Sequence, residues 1–348
     1  MSATWKQYGR ETPALERAPA YEALPGMEDP AFYHPSEELA AAVNVAVTLG
    51  LPLLVTGKPG CGKTDLAYHV AHKFGQEEPL RFDAKTTSTA QDLFYRYDAL
   101  RHFQAASVQR ELRKAGALAA PASAPQELTP EEQRKETMRY IELQALGIAA
   151  LLASTDPDAD SYLPLKYRGL GPRRSVVLID EIDKAPRDLP NDILREIVSL
   201  SFTLRETGEM LPPGGIDPTF RPIVILTSNS EKSLPDAFLR RCAFFHIDPP
   251  DTTALEIIVT ERLVKRASAF PGDAVEEAVK LFDAIRNAKL RKEPSTAELL
   301  QWARMLGKSG KTPADVRAGD DDALRITCAV MATEDADREK IRKAATAR

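Results

Sequence analysis

Gly57-Lys58-Pro59-Gly60-Cys61-Gly62-Lys63-Thr64 fits G-x-x-x-x-G-K-[ST] at every position. It follows an apolar run, Leu51–Thr56, and opens an amphipathic stretch, Thr64–Phe74. A buried strand must therefore feed a tight loop and then a helix, which few folds accommodate. Glycines let such a loop wrap a phosphate with successive backbone N–H groups pointing inward. The helix that follows turns its positive end toward the anion. Lys63 then reaches the β- and γ-phosphates of a nucleotide, and the Thr64 hydroxyl is a Mg²⁺ ligand. The cradle is Gly57, Pro59, Gly60, Cys61, Gly62, Lys63 and Thr64, with Lys58 and Pro59 as filler side chains. Cys61 reads as a small loop residue.

Four further apolar runs resemble this first strand: Leu80–Phe82, Ser175–Ile179, Ile223–Thr227 and Ala243–Ile247. Continuous apolar runs mark strands buried on both faces of a parallel sheet. Amphipathic segments alternate with them, notably Leu189–Leu200. The expected fold class is α/β: a P-loop NTPase-type parallel sheet sandwiched by helices, followed by a small all-helical lid domain. The 348 residues suit about two domains. Residues 1–30, with Pro13, Pro19, Pro25 and Pro30, read as an extended lead-in. Ser36 starts a helix with acids in its first turn. Residues 31–250 form the nucleotide-binding domain, carrying an insertion at about 100–171. The insertion has helical pattern at Arg101–Ala115 and Glu131–Ala153 around an Ala/Pro/Ser-rich stretch, Gly116–Thr129. After Pro249-Pro250, helical period recurs at Thr253–Ala267, Ala274–Lys289, Thr296–Leu306 and Ala323–Thr333. The lid is 251–335, and 336–348 is a charged C-terminal tail.

Val176–Ile179 ends in Asp180-Glu181. Acids at the carboxyl end of a parallel strand face the ligand crevice. Asp180 holds Mg²⁺ through water, and Glu181 polarises the attacking water as general base. Asp183 reads as a turn or helix cap near Lys184. Ile223–Ser228 ends in Asn229, an amide able to orient a lytic water or touch the γ-phosphate.

A phosphate loop, a strand ending Asp-Glu, a strand ending in Asn, and Arg240-Arg241 before a further strand occur in that order. This set resembles the AAA+ ATPases. Pro35–Gly57, Leu93–Asp98 and Leu234–Arg241 resemble the MoxR-type branch. The likeness covers about residues 31–250 well and the helical lid loosely. It implies Asn229 as sensor 1 and Arg241 as the arginine finger, with Arg240 the alternate, since the family pattern often has Asp-Arg there. A sensor-2 arginine would fall close to Ala297, so this chain departs from the family at that point; Arg291 and Lys292 read as an exposed basic turn. The resemblance implies ATP and Mg²⁺ as cofactors and a ring homo-oligomer, a hexamer. Its cycle would remodel a protein partner of von Willebrand A-domain type.

Net charge is −5, so no strong global field draws nucleic acid or anionic membrane. Basic faces at Arg101, His102, Arg110, Arg113 and Lys114, and at Arg286, Lys289, Arg291 and Lys292, leave nucleic acid open but unfavoured. The cysteines Cys61, Cys242 and Cys328 form no C-x-x-C, which suits a reducing cytoplasm. Met1–Gly9 has no apolar core of a signal peptide. Gly50 and Pro52 break the apolar Leu39–Gly57, against a membrane span. His69 and His72 lack a third ligand and read as ordinary packing. Asp156, Asp158 and Asp160 lack the Gly and Glu of a calcium loop. Two other functions stay open: an ATP-dependent switch or scaffold with little turnover, and the motor of a nucleic-acid-processing or defence complex. Glu181 with Asn229 disfavours the first.

Overall fold

The computed structural model describes residues 29–114, 130–229, 233–266 and 269–347. The expected lead-in, apart from its end, and the stretch Gly116–Thr129 lie outside them.

The strands in chain order are β1 (Leu53–Gly57), β2 (Leu80–Asp83), β3 (Tyr95–Tyr97), β4 (Ile141–Leu143), β5 (Val176–Asp180), β6 (Phe202–Leu204), β7 (Glu209–Leu211), β8 (Ile223–Ser228) and β9 (Ala243–Ile247). The helices that precede or alternate with them are α1 (Glu37–Leu49), α2 (Lys63–Lys73), α3 (Ala99–Lys114), α4 (Pro130–Met138), α5 (Ala145–Leu152), α6 (Ala159–Tyr162), α7 (Leu189–Ser199) and α8 (Asp236–Leu239). Five strands form one parallel sheet in the order β2-β5-β8-β1-β9. Every residue of β1, β5 and β8 is buried, as central strands require. At the edges, β2 and β9 alternate between more and less exposed positions. Val177 sits in register with Leu80 on one side and Val224 on the other. Because the pairs are parallel, β1, β5 and β8 all end on the same edge of the sheet.

The chain forms two compact units. One holds Glu37–Thr56 and Val70–His246; the other holds the described residues up to Ser36, Gly57–His69 and Ile247 onward. The first is built on Leu54, Val177, Ile179, Val224 and Leu226 of the sheet, with Leu146, Leu151, Ile193 and Phe238 from its helices. Between β2 and β5, Glu131–Ala153 is not one helix. It breaks into α4, β4 and α5, because Ile141–Leu143 pairs antiparallel with β3. Phe94 and Tyr95 are core residues, both ring-stacked on Phe202 of β6. The hairpin β6–β7 was not legible in the periodicity.

The C-terminal helices are α9 (Thr252–Val259), α10 (Val275–Arg286), α11 (Thr296–Ser309), α12 (Pro313–Arg317), α13 (Asp321–Met331) and α14 (Asp335–Thr346). A π-helical stretch, Thr260–Arg266, continues α9. Their core gathers Leu255, Leu281, Phe282, Trp302, Leu306 and Ile341. The Trp302 indole donates to Thr327 Oγ1 at 3.0 Å, so its polar edge is satisfied inside. The charged stretch 336–348 is not a free tail. As far as Thr346 it belongs to α14, which buries Asp337, Ile341 and Ala345. The i, i+4 pair Ile341 and Ala345 supplies a narrow apolar stripe among the charges. Among the described residues no helix is long and apolar enough to cross a membrane.

Candidate functional site

The phosphate loop follows β1 and ends where α2 begins at Lys63. Gly57 has φ 152°, and a Cβ there would lie 2.6 Å from the Ile247 carbonyl oxygen. Gly60 has φ 78°, and a Cβ there would lie 2.5 Å from Ser295 Cβ. Both positions thus demand glycine on conformation and on space. Lys63 is buried, and its ammonium donates to the carbonyls of Gly57 at 2.8 Å and Lys58 at 3.0 Å. The cation therefore sits across the mouth of its own loop. Burial pushes the Cys61 thiol up, against the lowering effect of Lys63. It stays protonated near neutrality, as befits a small loop side chain.

Lys58 pairs with Glu293 at 2.5 Å. Tyr33 packs beside Gly62 and against the His69 ring. Burial, then the negative charge of Asp65, pushes its hydroxyl above the ordinary range. His69 Nδ1–H donates to the Pro30 carbonyl at 2.7 Å, so His69 has the packing role expected of it. Arg262, on the π-helical stretch, lies 3.5 Å from Asp65.

The carboxylates stand at the end of β5. Asp180 is buried, and its Oδ1 accepts from Thr227 Oγ1 at 2.5 Å. Its Oδ2 lies 3.0 Å from Arg81 Nη2. Glu181 adopts a left-handed backbone, φ 55° and ψ 49°. Such a conformation in a residue other than glycine costs on the order of 1–3 kcal/mol and collects at functional sites. The strain is held by a hydrogen bond from Glu181 N–H to Thr227 Oγ1 at 2.9 Å. Thr227 thus accepts from one acid's backbone and donates to the other acid's side chain. Asn229 Nδ2 donates to Glu181 Oε1 at 3.3 Å, and Lys184 Nζ donates to Glu181 Oε2 at 2.5 Å. Asp183 is buried in a short 3-10 helix and accepts the Asn229 backbone N–H at 3.3 Å. It thus sits in a turn beside Lys184 and, being buried, also braces Asn229.

The expected residues Asp180, Glu181 and Asn229 therefore come together. Thr227, Arg81 and Lys184 join them and were not singled out in the sequence. The signal for Thr227 is a lone hydroxyl within an apolar strand; its use depends on β8 lying beside β5.

Arg240 and Arg241, after α8, are exposed, and neither side chain has a hydrogen bond or ion pair among the described residues. At the start of α11, the Ser295 N–H and hydroxyl both donate to Glu298, at 2.5 and 2.7 Å. Burial opposes ionisation of Glu298, but these bonds and Lys292 hold its carboxyl below the ordinary range. Arg291 pairs with Glu334 at 2.8 Å and Lys292 with Glu298 at 3.2 Å. Both cations are engaged within the helical unit.

Taken separately, the Thr64 hydroxyl and the Asp180 carboxylate are each hard oxygen donors of the kind Mg²⁺ takes, a few at a time alongside phosphates. A parallel sheet feeding a phosphate loop, with acids at a strand end and a helical C-terminal region, is the AAA+ P-loop α/β fold. Residues 52–242 match the AAA domain of the dynein-related subfamily, more than half of the chain, and the chain belongs to that family. None of the curated proteins compared with the chain matches it. Family membership carries the class: a nucleotide-binding domain of ATPase type.

Proposed function

We propose that this chain hydrolyses ATP with Mg²⁺ as a MoxR-type ring homo-oligomer, a hexamer, and uses the cycle to remodel a partner protein in the cytoplasm. The observation that carries this reading is the treatment of Glu181. Its backbone is held in a left-handed conformation and its carboxylate meets the Asn229 amide at 3.3 Å. A switch that only binds ATP needs neither feature.

In this mechanism the loop N–H groups and Lys63 hold the β- and γ-phosphates. Mg²⁺, when bound, neutralises charge on the phosphate oxygens; Thr64 and Asp180 would hold it, the carboxylate through water. Asn229 orients the attacking water, and Glu181 takes its proton. Arg241 acts on the nucleotide of a neighbouring subunit, and its exposed guanidinium, unengaged among the described residues, supports that role. A partner with a von Willebrand A-type domain is the reading that the MoxR likeness favours.

The test is phosphate release as a function of protein concentration, with mixing of variants. Arg241→Ala and Lys63→Ala should each be nearly inactive alone. Mixed, they should recover activity, because the intact site of one meets the intact finger of the other. Turnover independent of concentration, from a monomer with Arg241→Ala fully active, would overturn the ring. Stimulation of turnover by DNA or RNA would favour the nucleic-acid motor. Affinity purification of Glu181→Gln with ATP should retain the partner.

A further inference from the structure

The acid assigned to Mg²⁺ already carries a cation from its own chain. Arg81 and Asp83 are two apart on β2 and so share a face of the sheet. Asp83 stands in register with Asp180 on β5, which sets two acids side by side. Arg81 lies between them. Its Nη2 is 2.8 Å from Asp83 Oδ1 and 3.0 Å from Asp180 Oδ2, and its Nε donates to Asp83 at 2.8 Å.

The two oxygens of Asp180 differ in kind. Oδ1 is tied to Thr227, which is wholly buried. Oδ2 is tied to a guanidinium whose side chain is 42% exposed, while that of Asp180 is 7% exposed. Of these two donors only the arginine can move into water when it lets go, since Thr227 is enclosed; the Oδ2 it leaves behind then needs another cation. Asp83, 56% exposed, offers the departing guanidinium a carboxylate to keep.

We propose that Arg81 is a positioning residue that serves as an exchangeable counter-ion of Asp180. It neutralises the acid in the nucleotide-free protein and yields Oδ2 to the arriving Mg²⁺ or its hydration shell. This rests on the assignment of Asp180 to the metal. Arg81 and the metal therefore compete, and Asp83 sets how strongly Arg81 holds on. Removing Arg81 should make the metal bind more tightly. Removing the charge of Asp83 should do the opposite, because Arg81 then has one carboxylate fewer to choose from.

The experiment titrates MgCl₂ into the full chain with a fluorescent ATP analogue and reads the half-saturating concentration. Arg81→Gln should lower it by about fivefold, and Asp83→Asn should raise it by about as much, the scale of a partly exposed ion pair. A role confined to holding the fold would shift both variants in the same direction, and that result overturns the proposal. An unchanged or raised midpoint in Arg81→Gln also overturns it. Should Arg81→Gln fail to fold, Arg81→Met, which keeps the stem and removes the charge, takes its place: a lowered midpoint supports competition, and any other result refutes it. Free Mn²⁺ followed by electron paramagnetic resonance repeats the comparison without nucleotide. Failure of the analogue to bind would then fault the proposed ATPase, while the two opposite metal shifts would still report on Arg81.

Discussion

Replacing Thr227 by valine removes one hydroxyl and little volume, and the structure specifies what that hydroxyl does. It donates to buried Asp180 at 2.5 Å and accepts the Glu181 N–H at 2.9 Å. A hydrogen bond to a charged group contributes about 1.5–3 kcal/mol, and a buried donor left unpaired costs about 1–3 kcal/mol. The two effects overlap, so Thr227→Val should destabilise the sheet-containing unit by about 3 kcal/mol. Thr227→Ser keeps the hydroxyl and loses one buried methyl, at a cost of about 1 kcal/mol. Guanidinium denaturation followed by far-ultraviolet circular dichroism measures both. If two transitions resolve, only that of the sheet unit should move. The valine variant should also lose turnover at unchanged ATP affinity, since the left-handed turn at Glu181 loses its anchor. Valine and serine variants of equal stability, with the valine within about 0.5 kcal/mol of the parent, would refute the bridging role, as such a change is ordinary for an uninvolved site.

Three further outcomes follow from the same geometry. Lys63→Ala should abolish ATP binding, which a fluorescence titration reads directly; retained affinity would reject the phosphate-loop assignment. Arg240→Ala should keep most of the activity that Arg241→Ala loses; if the losses are exchanged, Arg240 is the trans finger. Burial pushes the Cys242 thiol up to about 12. An acid raised on folding adds stability that is complete below its unfolded value, about 9, and fades as pH rises toward its folded one. The parent should therefore lose stability relative to Cys242→Ala between pH 9 and pH 12, and parallel curves across that window would contradict the burial of the thiol.

The parts visible in the sequence are those with local causes. β1, β5 and β8 are continuous apolar runs, and the glycines around Lys63 encode a turn that no other residue type allows. Asp180, Glu181 and Asn229 could be found because each sits where an apolar run stops. The missed residues depend on strand order. Thr227 reaches Asp180, and Arg81 does too, only because β8 and β2 flank β5. β4 hides inside a helical pattern because three residues cannot establish a period of two, and its partner strand lies before a long stretch of insertion. α14 looked like a tail because charge dominates its composition, although Ile341 and Ala345 one turn apart suffice to dock it.

The most direct test of the central claim compares Glu181→Gln with the parent for ATP affinity and for steady-state phosphate release, on the same preparation. The amide keeps the shape of the carboxylate and can still meet Asn229, but cannot accept the proton of the attacking water. The account predicts unchanged affinity with turnover lower by about 10²–10⁴-fold. Turnover equal to the parent's, with ATP bound equally well, would contradict it.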